Sequence, residues 1–180
     1  MAAMQGVAVS VRAADVPTLR PVDRILGNKN APITIFEYAS LTCPHCAAFA
    51  SDTLPKLKKD WIDAGKAKLV YRDYPLDQSA ALAATIARCF PEDRYFPFLE
   101  TLFADQHEWV QHDAAATKAA LMRLAGLGGM SERDFNVCAA NQKKLRRRAE
   151  FAARGPEPLR HQMDADVLHQ RHQGRGRPAV

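Results

Sequence analysis

No run of about 18 consecutive apolar residues occurs anywhere in this chain of 180 residues, so no transmembrane helix is expected. The opening stretch, Met1 to Ala14, ends on the small pair Ala13-Ala14 but lacks the apolar h-region of a secretory signal. It reads as the end of such a signal and points toward export. Cysteines are few, four in all. Cys89 and Cys138 stand far from each other and from the remaining two, so no second closely spaced pair exists. Structural zinc takes four ligands, usually from two pairs, and is the minor reading. Net charge is missing from most of the chain. Residues 1–142 carry 15 Lys/Arg against 16 Asp/Glu, while residues 143–180 carry 10 against 4, which makes the +5 of the whole. The run Lys143-Lys144-Leu145-Arg146-Arg147-Arg148 has a composition found in nucleic-acid-binding segments. A solvated helix face, or sequence that is not native, explains it more simply, and no nucleic-acid partner is expected. At 47% hydrophobic, the chain is sized for one globular domain, with or without an insertion.

What is present is a motif, Cys43-Pro44-His45-Cys46. It follows a β-like run, Ile33-Thr34-Ile35-Phe36-Glu37-Tyr38, and heads a helical pattern, Ala47-Ala48-Phe49-Ala50. Two thiols at this spacing on a helix N-terminus make a redox-active dithiol. The free backbone N–H groups and the positive end of the helix dipole favour a thiolate on Cys43. The thiolate is the species that exchanges disulfides. Pro44 fits a first helical turn, where no N–H is needed. His45 adds a donor and, when protonated, a positive charge beside the sulfur. Two plainer readings stand beside this one: half of a zinc site, and an inert structural pair. His45 lies inside the loop and cannot easily ligate alongside both thiolates, and so short a disulfide ring stabilises little.

Residues 1–21 carry no clear period and read as a leader or arm. Arg24-Ile25-Leu26-Gly27 reads as a short strand or approach, then a turn at Asn28-Lys29-Asn30. Residues 32–38 are expected to form a buried strand. The helix after the motif is expected to kink or break at Pro55 and to end at Gly65. Residues 68–74 make a second strand, so residues 22–76 form a βαβ unit with parallel neighbours. The dithiol then lies beyond the C-terminal end of the first strand, where open α/β sheets place their sites. Residues 77–142 read as helical, with Ser131 and Asp134 as a weak capping box. Tyr95, Phe96, Phe98, Phe103 and Trp109 read as the core of that segment, and as a peptide groove in the minority reading.

Pro32 to Cys46 resembles the DsbA-like thiol:disulfide oxidoreductases of the bacterial periplasm, a branch of the thioredoxin superfamily. Leu69 to Pro75, Ala87-Arg88-Cys89, Tyr95 to Gln106 and Leu124 to Cys138 resemble the same family. The resemblance implies an α/β thioredoxin-like fold with an inserted helical domain, and no cofactor. It implies oxidation of thiols in newly exported proteins, and a membrane partner that reoxidises the dithiol. By position, Cys43 corresponds to the exposed nucleophile and Cys46 to its buried partner. His45 corresponds to the thiolate stabiliser, and Pro44 shapes the loop. Glu37 stands where a buried acid relays protons, and a solvent-facing strand residue is the equal alternative. Cys89 and Cys138 resemble a second, structural disulfide of some relatives, the alternative being two free buried thiols. A reductase or isomerase, or a non-catalytic binder of unfolded exported chains, are the competing functions.

The family also has a cis-proline loop that opens a C-terminal hairpin, expected here near residues 160–175. It is missing. Pro156, Pro158 and Pro178 sit in sequence with no strand pattern. Codons can be chosen for Ala165 to Ala179 that, shifted by one base, spell Pro-Thr-Phe-Phe-Ile-Asn-Gly-Thr-Lys-Val-Glu-Gly-Ala-Gln. That peptide has the family's pattern. The segment 143–180, or its part from about Ala165, then reads as a frameshifted product, and weak turnover is expected of this chain.

Overall fold

The computed structural model describes residues 17–141. Residues 1–16 of the expected leader, the whole segment 143–180 and the shifted-frame reading of Ala165 to Ala179 lie outside the described residues. From Arg20 onward the described residues belong to one compact unit.

The architecture is organised around β3 (Ala67–Asp73), which is buried at every position. Its β-branched and aromatic residues suit a strand covered on both faces. The described strands run in the order β1-β3-β2. β1 (Arg24–Leu26) pairs antiparallel, with Ile25 opposite Val70. β2 (Ile33–Ala39) pairs parallel, with Ile35 opposite Leu69 and Glu37 opposite Tyr71. Both long strands start and end within one residue of the expected bounds. The expectation that the first of them is buried is corrected: Ile33 is 45% exposed, and residues 34–38 are half-buried. β2 forms an edge of the described sheet, and β3 takes the centre.

Alternation along the strands sorts the side chains. Leu69 and Tyr71 share one face with Ile35 and Glu37. Lys68, Val70 and Arg72 share the other with Phe36 and Tyr38. On that second face the Arg72 guanidinium is buried and paired. It donates to both oxygens of Asp23 at 3.0 and 2.8 Å and to the Tyr38 hydroxyl at 2.6 Å, and it lies over the Phe36 ring at 4.6 Å. A buried charge requires such partners.

The first face receives the helical segment that follows the motif. At Pro55, where a kink or a break is expected, the chain leaves α-helical geometry just before the proline and then resumes it. α1 (Pro44–Ala48) leads into a π-helical turn (Phe49–Thr53), then α2 (Leu54–Leu57), then a second π-helical turn (Lys58–Ile62). In the first of these turns the Leu54 N–H reaches the Phe49 carbonyl. Pro55 therefore falls in the first turn of α2, where its missing N–H breaks no bond. Leu54 and Ile62 pack on Leu69, with Ile35, Phe49 and Leu57 around them. Gly27 takes φ +95°, and a Cβ there would stand 2.5 Å from Ile62, so this turn requires glycine.

The remaining helices are α3 (Gln78–Cys89), α4 (Glu92–Ala104), α5 (Gln106–Trp109), α6 (Ala114–Leu127) and α7 (Glu132–Ala140). Asp77, Asp113 and Ser131 cap α3, α6 and α7 by accepting the N–H groups of Ala80, Ala116 and Asp134. Tyr95, Phe98, Phe103 and Trp109 are buried and Phe96 half-buried, in one core with Tyr71, Ala39 and Leu41 of the sheet and of the loop before Cys43. These aromatics are core. The sulfurs of Cys89, exposed at the end of α3, and Cys138, buried on α7, are joined, with Cα atoms 6.4 Å apart.

Candidate active site

The site grows from the loop that carries the chain off β2. Ser40 and Leu41 are buried, so the loop is rooted in the core before it reaches the cysteines. The Cys43 N–H returns to the Ser40 carbonyl at 3.1 Å. The Ser40 hydroxyl accepts the N–H of Leu76 at 3.3 Å, tying the loop to the end of β3. The Thr42 hydroxyl donates to Asp77 Oδ2 at 2.6 Å. The Gln106 amide donates to the carbonyls of Leu41 at 2.7 Å and Cys43 at 3.2 Å.

Cys43 is the N-cap of α1, with extended backbone and its carbonyl bonded to the Ala47 N–H at 3.1 Å. No conventional side-chain cap is present there. The Cys43 thiol stands at this helix end. Its pKa is lowered, first by the backbone N–H of Cys46 and then by the Cys46 thiol; burial opposes this, and the His45 N–H adds to it. Cys46 is pushed the other way. Burial comes first, then the bond to Cys43, with the charges of Cys43 and Glu37 adding and a backbone bond to Ser40 opposing. The pair is thus split, with the Cys43 thiol pushed down and the Cys46 thiol pushed up. Both thiols are free and half-exposed, and Cys46 packs against the core beside Ala47 and Ala50.

The structure places the other expected residues as follows. Pro44 stands in the first turn of α1, exposed. The His45 side chain is also exposed, and the group that reaches Cys43 is its backbone N–H. Glu37 lies on the helix-covered face of the sheet, half-buried, and burial raises its pKa to about 7. Beside it in register is Tyr71, whose hydroxyl burial pushes well above its ordinary range. Further down β3, Asp73 pairs with Arg88. Cys89 and Cys138, joined to each other, are not part of this constellation. Among the described residues no group of three or more His, Cys, Asp or Glu is placed to hold a metal.

Sequence reasoning did not single out Ser40, Asp77 or Gln106. Asp77 had a signal, an acidic residue three positions before the first buried alanine of α3. Gln106 had none, because its partners lie more than sixty residues away in the chain.

A family model described as thioredoxin matches residues 20–153. A Rickettsia conorii protein named "Putative protein-disulfide oxidoreductase" is 32% identical over 139 residues, covering 75% of this chain and 50% of its own length. Disulfide bond formation protein D of Bacillus subtilis is 35% identical over 94 residues, covering 48% of this chain and 42% of its own. Among solved structures, Wolbachia pipientis alpha-DsbA1 superposes with a TM-score of 0.68 at 32% identity, over 76% of this chain and 70% of that one. This chain spans about half the length of the curated relatives it matches.

Proposed function

Since the chain belongs to the thioredoxin superfamily, as a DsbA-like protein of the disulfide oxidoreductase type, we propose that it oxidises thiols of exported proteins through Cys43 and Cys46. The observation that carries this reading is the opposite displacement of the two thiols. The helix N-terminus favours the thiolate on Cys43, while burial holds Cys46 protonated.

The proposed cycle balances as two exchanges. Starting from the Cys43–Cys46 disulfide, a substrate thiolate attacks the Cys43 sulfur, and the bond to Cys46 breaks. Cys46 leaves as a thiolate and takes up a proton. Glu37 is the proposed donor, because its raised pKa leaves it part-protonated near neutral pH, on the sheet face beneath the motif. A second substrate thiolate then attacks the substrate sulfur of the mixed disulfide. Cys43 departs as a thiolate, the substrate gains a disulfide, and two electrons remain on the Cys43/Cys46 pair. The low affinity of the Cys43 thiolate for protons makes it a good leaving group and favours the reduced protein, which is the property of an oxidant.

Export and a periplasmic location belong to the same proposal, as does a membrane partner that reoxidises the dithiol. No helix among the described residues is long and apolar enough to cross a membrane. We further propose that residues 143–180, which lack the cis-proline pattern, leave this chain with weak turnover. Equilibration against glutathione tests the direction of electron flow. An oxidising potential is expected; a reducing one, with peptide disulfides cleaved rather than formed, would replace the oxidase reading by a reductase or isomerase. A Cys43→Ser variant that kept all activity would point instead to a non-catalytic binder.

A further inference from the structure

We infer that Gln106 is a positioning residue for the nucleophile. Reaching from α5, its side-chain amide fixes the stretch of redox loop on which the Cys43 thiolate depends. This rests on the reading of Cys43 as the nucleophile. The amide nitrogen has two hydrogens, and both go to this loop: one to the Leu41 carbonyl at 2.7 Å, one to the Cys43 carbonyl at 3.2 Å. The Cys43 carbonyl also takes the first helical bond, from the Ala47 N–H. The Leu41 carbonyl receives no backbone N–H among the described residues. One side chain therefore grips the loop on both sides of Thr42, and Thr42 is itself held by Asp77.

The base of this clamp is rigid. Trp109, in the same short helix, is fully buried, and its indole N–H donates to the Leu102 carbonyl at 2.7 Å. The sulfur of Cys43 is stabilised by N–H groups two and three positions further along, those of His45 and Cys46. Their aim at the sulfur depends on the angle at which the loop enters α1, and residues 41–43 set that angle. Donation to the Cys43 carbonyl also neutralises a negative dipole end on the nucleophile's own residue. Both effects act in one direction, toward the thiolate.

A substitution at Gln106 separates positioning from bracing. Gln106→Met keeps the length of the side chain and removes both donors. Gln106→Glu also removes both donors and adds negative charge. In the reduced protein, the pH dependence of thiolate ultraviolet absorbance gives the Cys43 titration, and equilibration with glutathione gives the exchange constant. Unfolding midpoints are recorded alongside. The Met variant is expected to lower the thiolate fraction at the wild-type midpoint about threefold, with the exchange constant weakened to match, and the Glu variant to do more. A lowered unfolding midpoint with an unchanged Cys43 titration would make Gln106 a brace only and overturn the inference. If the Met variant does not fold, Gln106→Asn, which keeps the amide and shortens its reach, must move the titration in the same direction. Failure of the underlying reading looks different: the wild-type protein would itself show no thiol titrating below the ordinary range.

Discussion

Asp77 joins Thr42 to the start of α3. One carboxylate oxygen accepts the Thr42 hydroxyl at 2.6 Å, and the other accepts the Ala80 N–H at 2.7 Å. The N-cap of a core helix thereby doubles as a tether for the loop that leads into Cys43. Asp77→Ala is expected to lose about 1–2 kcal/mol of stability, and Asp77→Asn much less, because asparagine caps nearly as well. Thr42→Val removes the tether, together with the hydroxyl contact between Thr42 and Ser40 at 3.1 Å, and leaves the α3 cap in place. The double variant Thr42→Val/Asp77→Ala should be less destabilised than the two single losses added together, since the tether is removed once in each. Urea unfolding of the four proteins checks this, and simple additivity would show that the bond contributes nothing.

The displaced thiols fix a pH dependence for the reduced protein. Cys43 has a folded-state pKa below its unfolded value. Its thiolate therefore adds stability above the unfolded value, near 8.5, and that contribution is lost as the pH falls through the lowered, folded value. Alkylation by a neutral reagent should follow the same limb, with Cys43 modified well before Cys46. Peptide mapping of the first product decides it; label on Cys46 first would reverse the assignment.

Glu37 has the opposite sign. Burial raises its pKa from the ordinary 4.5 to about 7, so ionising it costs stability. That cost begins as the pH rises above the unfolded value and is complete above about 7. Glu37→Gln should flatten this slope. The gain above neutral pH is bounded at about 3 kcal/mol by the size of the shift, and is smaller to the extent that water reaches the half-exposed carboxyl. The same variant should slow release of Cys46 from the mixed disulfide. Unfolding midpoints at several pH values and stopped-flow exchange measure the two effects. A slope that survives the substitution would assign it to another group.

Much of this was legible in the chain because it is local. The dithiol, the strands on either side of its helix, the Ser131 cap and the aromatic core all announce themselves by spacing of a few residues. What was not legible depends on distant partners or on the cost of alternatives. The run 33–38 is apolar enough to be buried, but among the described residues it lies at the edge of the sheet and is half-exposed, and no local pattern states strand order. Pro55 looks like a break; the π-helical turn before it resets the phase and places the proline where no N–H is wanted. Gln106 lies at the end of an amphipathic stretch, and only the folded chain brings it to Leu41 and Cys43.

The nucleotide sequence of the last codons tests the reading of the tail. The family match extends through residue 153, and the shifted peptide is read from Ala165 onward. The codons from Ala165 to Ala179 are expected to spell Pro-Thr-Phe-Phe-Ile-Asn-Gly in the frame one base later. Codons that do not would end that reading. Restoring the frame should raise peptide-oxidation turnover while leaving the Cys43 titration in place, because the helix that supports the thiolate lies outside the altered segment.

The buried pair Asp23 and Arg72 should govern stability without touching the redox chemistry. Their side chains are 2% and 1% exposed, at 2.8 Å. Asp23→Ala leaves a guanidinium buried against Phe36 and Tyr38 with its carboxylate gone. Breaking such a pair from one side costs about 3–5 kcal/mol, because a buried guanidinium loses the carboxylate it is paired with. The Tyr38 hydroxyl, bonded to Arg72 at 2.6 Å, compensates only in part. Arg72 projects from the face of β3 opposite to Tyr71 and Glu37, away from the helix that carries the dithiol. Chemical denaturation of Asp23→Ala should therefore show a large fall in midpoint with an unchanged Cys43 titration in the protein that remains folded. A coupled change in that titration would mean that the two faces of β3 do not act independently.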